Sequence, residues 1–390
     1  MLFSTRPKED RKDLYDREKE IEMIKDSIFR GEWTAVLGIR RIGKSSVVNV
    51  SVKESGSIPI YVNLTRLNTT KKKQYDKASF LSLLLESTNL TIRNYTFLGK
   101  ISRIISNIVG LEEVDFSSLK VKGKLKKIDT KDLSYLFLEL DRLAKDNRKK
   151  VTIVLDEAQE LSKIAGINFP SLFHDIYEEC NNTVVIFTGS MIRILESTLK
   201  DIEYQEPFFG RYIRKITLER FTKDQSEDFL TKGFEEEGIS VDKQIIDEAV
   251  QKLDGIPGWL TIFGSEYSFA VKHGQKPRID DIVSKAEEEA KSEAKNFLEN
   301  SQSPLRYSAI ILALDRLGGT GELKEIKKVS STILDEEIPE PRVYELLNRL
   351  VDYTLVEKID DKYSLPTDEP NRKGIVKSAE EIFKSETQRD

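Results

Sequence analysis

The chain has 390 residues, of which 38% are hydrophobic and 33% are charged. This length predicts two or three domains, and the composition is typical of a globular protein rather than a disordered one. The net charge of −5 encodes no general attraction to nucleic acid. One cysteine and two histidines exclude an internal disulfide and leave little for a zinc site or a Ser-His-Asp centre.

Three further features bear on where the protein works. The chain has no run of about 18 apolar residues, so a membrane-spanning helix is not expected. The first twenty residues lack the apolar stretch of a secretory signal. The lone Cys180 fits a reducing compartment. We therefore expect a cytoplasmic protein with no transmembrane segment.

The first chemical motif joins a predicted strand to a predicted helix. The apolar residues 34–37 run into a segment that satisfies G-x-x-x-x-G-K-[ST], and a helix-compatible stretch follows. Its glycines let successive N–H groups face a phosphate, and the helix adds the positive end of its dipole. We therefore predict a P-loop (Walker A motif) that binds ATP through Gly38, Ile39, Arg40, Arg41, Ile42, Gly43, Lys44, Ser45 and Ser46.

Two side chains of this loop have predicted roles in the chemistry. Lys44 supplies a compact positive charge for the β- and γ-phosphates, and Ser45 supplies a hydroxyl ligand for Mg²⁺. Arg40 and Arg41 either touch the nucleotide or are solvated loop residues.

A long segment separates the P-loop from the next motif and indicates an insertion at about residues 65–130. Residues 80–85 predict a core helix, and residues 97–109 an amphipathic one. Residues 114–124 predict a β-hairpin with a lysine-rich face. That face either binds a protein, membrane or nucleic-acid partner or is a solvated strand edge; its lysines are Lys120, Lys122, Lys124, Lys126 and Lys127.

The second motif is an apolar strand that ends in two acids, at residues 151–159. Ligands of open α/β sheets gather at the carboxyl ends of parallel strands, where these acids lie. We predict that Asp156 holds Mg²⁺ through its water shell and that Glu157 orients and deprotonates the attacking water (Walker B motif). A second acid favours hydrolysis over binding alone.

A third strand ends near residues 188–190 and is expected beside both of the strands that carry the motifs. Thr188 is a candidate to contact the γ-phosphate or the attacking water. The alternative is a strand end that simply turns through Gly189.

The C-terminal region follows a charged helical linker at 279–300. Three short amphipathic helices (305–317, 321–329 and 341–351) and two strands (354–359 and 362–365) have the order of a winged helix. Arg342 and Arg349 on the third helix are candidates to contact DNA. Residues 305–365 nevertheless hold nine Lys and Arg against twelve Asp and Glu, which favours a protein-contact or autoinhibitory role.

With these elements in place, the chain resembles the archaeal ATPase family within the STAND and AAA+ group of P-loop NTPases. Residues 14–20 resemble the segment that packs near the adenine in this group, which implies a nucleotide contact for Arg17. The same residues also fit a helix N-terminus that is capped by Asp16 and has acids in its first turn.

Two more stretches carry the resemblance. Residues 207–211 resemble the family's F-G-R hallmark, which implies that Arg211 reaches a phosphate in its own subunit or a neighbour's. An arginine that pairs with a carboxylate is the rival interpretation, and Arg193 is a substitute candidate. Residues 254–259 resemble the G-x-P motif of a helical lid, which implies a nucleotide contact for Pro257, although a turn between two helices explains them equally.

The predicted fold is α/β: a three-layer α/β/α P-loop core with a parallel sheet at 1–220, a helical lid at 221–300, a winged-helix domain at 301–370 and a C-terminal tail at 371–390. The leading hypothesis is slow Mg²⁺-dependent ATP hydrolysis that drives a conformational switch, with a protein partner or self-association. The alternative is an AAA+ ATPase that binds double-stranded DNA through the winged helix. A nucleotide-binding scaffold without turnover is disfavoured by Glu157.

Overall fold

The computed structural model describes residues 1–69, 74–92, 130–190, 195–197, 199 and 212–388. The chain divides into two compact units. The first unit is Pro7–Leu218, and the second unit combines Met1–Arg6 with Glu219–Asp390. In the part of the chain that the structure describes, no helix is both long enough and apolar enough to cross a membrane.

The first unit is built on a five-stranded sheet in the order β2-β4-β6-β1-β7, and every neighbouring pair is parallel. This confirms the predicted α/β fold with a parallel sheet. The strands and helices are β1 Trp33–Leu37, β2 Ile58–Asn63, β3 Tyr75–Asp76, β4 Val151–Asp156, β5 Ile164–Ala165, β6 Thr183–Gly189, β7 Ile213–Thr217, α1 Glu18–Arg30, α2 Lys44–Ser55, α3 Lys77–Ile92, α4 Thr130–Asp146 and α5 Phe169–Glu179.

Side chains of β1 alternate between the two faces of the sheet, as the strand period requires. Trp33, Ala35 and Leu37 belong to a core that includes buried residues of α3, α4 and α5. Val36 belongs to a separate core with buried residues of α1 and α2. The sheet is therefore the middle layer of three. The short strands β3 and β5 pair with each other outside it.

The second unit contains eight described helices and a three-stranded antiparallel sheet in the order β8-β10-β9. Its elements are α6 Lys223–Glu236, α7 Lys243–Leu253, α8 Pro257–Lys272, α9 Ile279–Asn300, α10 Pro304–Arg316, β8 Thr320–Glu322, α11 Leu323–Leu334, α12 Glu340–Asp352, β9 Glu357–Ile359, β10 Lys362–Ser364 and α13 Glu369–Thr387.

The three predicted helices and two predicted strands of the C-terminal region correspond to α10, α11, α12, β9 and β10. The sequence does not predict the third strand, β8, because the pattern places the start of a helix at residue 321. Residues 369–387, most of the predicted tail, form the helix α13, which packs along α9 and α10. The division into lid, winged helix and tail stays a prediction.

The first six residues belong to the second unit rather than the first. Phe3 is 3% exposed, and its ring lies 5.0 Å from that of Phe234 and 5.7 Å from that of Phe229. A side chain at Gly233 or Gly264 would collide with this ring. The two glycines of α6 and α8 therefore make the space that Phe3 fills.

Candidate functional site

The predicted P-loop connects β1 to α2, and its backbone requires glycine at two positions. Gly38 has φ +155°, and a Cβ there would lie 2.8 Å from Cγ2 of Ile42 and 3.0 Å from the carbonyl oxygen of Leu218. Gly43 has φ +97° and open space around it, so only its conformation requires glycine. Gly43 caps α2 without a side-chain hydrogen bond to the helix. The first amides of α2 therefore have no side-chain cap and suit an anion.

The ammonium group of Lys44 lies inside the loop. The side chain is 7% exposed, and Nζ donates to the carbonyl oxygens of Gly38 at 2.8 Å and Ile39 at 2.9 Å. Burial lowers the pKa of Lys44 to about 8, against the opposing effect of the Glu157 and Asp156 carboxylates. An ammonium group has three donors and the bonds to Gly38 and Ile39 use two, so one remains for a phosphate.

The remaining loop residues differ in their surroundings. Ile42 is buried, Ser45 is half-buried, and Arg40 is exposed. Arg41 has a left-handed backbone, with φ +64°. Ser46 accepts a hydrogen bond from the backbone N–H of Lys8 at 3.0 Å, so its hydroxyl ties the N-terminal segment to α2.

The two acids of the second motif lie at the end of β4, and the predicted third strand, β6, lies between β4 and β1. Thr188 of β6 donates its hydroxyl hydrogen bond to Oδ1 of Asp156. Burial raises the pKa of Asp156, although the hydrogen bond from Thr188 opposes the rise. Thr188 is therefore in contact with the predicted metal ligand.

Glu157 has a left-handed backbone, with φ +55°, directly after β4. Its Oε2 accepts hydrogen bonds from the Ser190 hydroxyl at 2.7 Å, the Ser190 backbone N–H at 3.3 Å and the Gln159 side-chain amide. Burial favours a higher pKa for Glu157, but Lys44 and these donors outweigh it, so the pKa lies below its usual range. Glu157 is thus held as a carboxylate.

The sequence motifs do not single out Gln159, and they predict residue 190 only as part of a strand end. The sequence signal is the order Asp-Glu-Ala-Gln, which places a polar residue two positions after Glu157. In the structure this residue, Gln159, is only 3% exposed. What the order did not reveal is the turn at Glu157 that brings its side chain toward Gln159.

Three further residues, Arg17, Pro257 and Arg211, are predicted to contact the nucleotide. The N-cap of α1 is Arg17 rather than the predicted Asp16, and no side chain caps the helix. Arg17 is buried, with φ +79°, and its guanidinium lies 3.8 Å from the Glu20 carboxylate. Pro257 is the first residue of α8 in the second unit, where the preceding Gly255 accepts a hydrogen bond from the N–H of Phe221 at 2.8 Å. Arg211 lies outside the described residues.

Arg193, the lysine-rich hairpin and the 97–109 helix also lie outside the described residues. The predicted nucleotide contacts of Arg17, Arg211 and Pro257 stay predictions.

The residues present fit a magnesium ion by their chemistry. The hydroxyl of Ser45 and the carboxylate of Asp156 are oxygen donors, which Mg²⁺ prefers, and Thr188 occupies only one of the Asp156 oxygens. Across the described residues, no group of three or more His, Cys, Asp or Glu could hold a metal. A nucleotide-dependent magnesium site does not need one, because Mg²⁺ keeps waters and takes phosphate oxygens as ligands.

A glycine-defined loop before a helix, a buried lysine and an acid pair at the end of a parallel strand define a P-loop ATPase. The chain belongs to the family of ATPase domains found predominantly in Archaea, whose pattern matches residues 14–263. This confirms the resemblance to an archaeal P-loop ATPase family. Membership of the STAND and AAA+ group stays a prediction. No curated protein matches the chain.

Two solved structures illustrate the likeness. The Walker-type ATPase PABY2304 of Pyrococcus abyssi is 28% identical, with a TM-score of 0.73 over 96% of this chain and 99% of that one. The ORC2 protein of Aeropyrum pernix, in its ADPNP–ADP complexes, is 13% identical, with a TM-score of 0.60 over 96% of this chain and 95% of that one. The second likeness concerns the fold alone.

Proposed function

We propose that the chain hydrolyses ATP slowly with Mg²⁺ and that Glu157 is the general base. The observation that carries this proposal is the arrangement of one buried cation, Lys44, near two carboxylates whose orientations are held by β6. Lys44 binds the phosphates, and Glu157 accepts a proton from the attacking water.

Mg²⁺ held by Ser45 and Asp156 would neutralise charge on the phosphates. Thr188 orients Asp156 through its hydrogen bond. The same hydroxyl remains a candidate to contact the γ-phosphate or the attacking water.

Phosphate release and nucleotide binding test these roles. We expect Glu157→Gln to bind ATP but lose turnover, and Lys44→Ala to lose binding. The matched control is Glu160→Gln, since Glu160 is a nearby buried carboxylate that bonds Tyr75 and Lys163 instead. If neither Glu157→Gln nor Lys44→Ala changed anything, the assigned site would be wrong.

We also propose that the nucleotide state changes the conformation of the second unit. The supporting observation concerns the chain connection. The backbone N–H of Leu218 donates to Leu37 at 2.8 Å, beside Gly38, and the second unit begins at the next residue. A shift of the P-loop would therefore move Leu218, which is joined by one peptide bond to Glu219, the residue at which the chain enters the second unit.

Hydrogen exchange of the Glu157→Gln protein with no nucleotide, ADP or ATP tests the switch. We expect ATP and ADP to produce different protection in the second unit as well as around the P-loop, because the two states must differ in free energy for the switch to turn. Identical protection of the second unit in all three states would contradict it.

Binding of double-stranded DNA is the alternative. The supporting observation is the order of α10, β8, α11, α12, β9 and β10, which fits a winged helix, with Arg349 exposed on α12. Against it, Arg342 already pairs with Glu345 at 2.6 Å and bonds Ser303 at 3.2 Å. The acidic balance of residues 305–365 also opposes phosphate attraction.

Turnover measured with and without double-stranded DNA separates the two. Stimulation that weakens as salt rises, and that Arg349→Ala removes, would favour the DNA-associated ATPase. An ATP turnover rate that is the same with and without DNA would favour a switch that responds to a protein partner or to self-association.

A further inference from the structure

One oxygen of Glu157 is bonded far more heavily than the other. Oε2 accepts the hydroxyl of Ser190, the backbone N–H of Ser190 and the side-chain amide of Gln159. No described residue donates to Oε1. A carboxylate anchored on one side in this way has a fixed plane and a fixed free oxygen.

The orientation of the Gln159 amide follows from its partner. A carboxylate only accepts hydrogen bonds, so the NH₂ end of Gln159 must face Glu157. The carbonyl oxygen, Oε1, is then turned into the protein, where it is buried and has no hydrogen-bond partner among the described residues. It faces Gly189, where a Cβ would lie 2.5 Å from it.

This arrangement is poor for stability. A buried carbonyl oxygen without a partner costs free energy, whereas an apolar side chain of similar length would fill the same space without that cost. Gly189 also leaves out a side chain that would collide with Gln159 and with Leu195. Gln159 and Gly189 therefore both accommodate the hydrogen bond between Gln159 and Glu157, and the effect of that bond is to fix the position of Glu157.

We propose that Gln159 and Ser190 are positioning residues that anchor Oε2 of Glu157 and so direct Oε1 to the attacking water. The inference rests on the proposed role of Glu157. In the step concerned, Oε1 takes one proton from water, the remaining hydroxide oxygen bonds the γ-phosphorus, and the bond from that phosphorus to the ADP oxygen breaks. The products are ADP and phosphate, and the proton later leaves Glu157 to solvent.

Steady-state ATP turnover of the full chain tests the anchor. We expect Ser190→Ala and Gln159→Met each to lower kcat by about tenfold with little change in KM, because misplacement of a reacting group mainly costs rate. Ser190→Thr keeps the hydroxyl and should retain most of the rate. Ser162→Ala is the matched control, since that hydroxyl bonds the backbone of Gln159 and not Glu157.

Thermal unfolding separates positioning from a structural role. Gln159→Met removes both the buried unpartnered oxygen and the hydrogen bond to Glu157, and these two losses have opposite effects on stability. Its midpoint should therefore change little while its kcat falls. A fall in kcat that occurs only together with a fall in the midpoint would overturn the proposal. An unchanged kcat in both single variants would also overturn the proposal. An increased kcat would overturn it as well, because the hydrogen bonds would then hinder Glu157 rather than position it.

Combination with Glu157→Gln completes the test under single-turnover conditions. If the two residues act through Glu157, Ser190→Ala and Gln159→Met should cause no further loss in that background. A further tenfold loss would overturn the inference and leave the role of Glu157 intact. Normal turnover of Glu157→Gln alone would instead overturn the proposed base, and the inference with it.

Discussion

Arg220 is expected to be a main source of stability for the second unit. Its guanidinium donates to Asp254 after α7, to Glu357 of β9 at 2.8 Å and to the hydroxyl of Thr367 at 2.8 Å. It also lies 3.9 Å from Asp368, which is fully buried and caps α13. One side chain thus joins four segments of the unit.

The change to test is Arg220→Ala. Hydrogen bonds between charged groups each contribute about 1.5–3 kcal/mol, but the Arg220 side chain is 24% exposed and Asp254 is 44% exposed, which reduces the total. We therefore expect a loss of about 2 kcal/mol in the free energy of unfolding of the second unit. Arg306→Ala is the control, since among the described residues Arg306 pairs only with the exposed Glu336, and the change should cost less than about 0.5 kcal/mol.

The loss should depend on pH. Burial raises the pKa of Glu357 and of Asp368, and Arg220 opposes both shifts. A carboxyl group whose pKa is raised by folding stabilises the folded state when protonated, and this contribution disappears as the pH rises through the folded pKa. Without Arg220 both pKa values rise further, so the loss should be larger at pH 8 than at pH 5.

Tryptophan fluorescence provides the assay. The chain has two tryptophans, and Trp33 lies in the first unit while Trp259 is buried in the second. In a Trp33→Phe background, urea unfolding followed by fluorescence reports the second unit. A midpoint for Arg220→Ala equal to that of Arg306→Ala at pH 8, or a larger loss at pH 5, would refute the reasoning.

Three other outcomes are expected. ATP affinity should fall up to tenfold per pH unit above about pH 8, because Lys44 of the nucleotide-free protein loses its proton there. Nucleotide titrations in which the Kd stays constant up to about pH 9.5 would contradict this. Phe3→Ala should cost the second unit about 3–5 kcal/mol, measured by the same Trp259 fluorescence, because it empties a buried aromatic site. Gly38→Ala should lower ATP affinity in equilibrium binding, whereas Gly56→Ala, at φ +69° with open space, should cost only stability.

The parallel core was predictable because its signals are local. The P-loop carries its glycines, lysine and hydroxyl within eight residues. The strand before Asp156 is apolar except for Thr152, as is typical of a parallel sheet covered on both faces. The place of β6 followed from the same logic, since the carboxyl ends of neighbouring parallel strands meet at one edge.

The rest depends on contacts between distant residues or on single backbone angles. Phe3 is far in sequence from Phe234, and nothing in the first six residues indicates that they pack into the second unit. The strand β8 has only three residues, too few to produce a detectable alternation. The anchoring of Glu157 requires a positive φ at a glutamate, which no residue preference predicts.

The path from the P-loop to the second unit is short along the chain, and this bears on how a switch would work. Leu218 bonds Leu37 at one end of the path, and Arg220 bonds both Asp254 and Glu357 at the other. Only Glu219 lies between them. We infer that a movement of the P-loop on nucleotide binding would be transmitted along the chain to the Arg220 contacts. Arg220→Ala should therefore leave ATP binding intact. It should also reduce any nucleotide-dependent change in hydrogen exchange at β9 and the start of α13. An undiminished change in that variant would show that another route carries the signal.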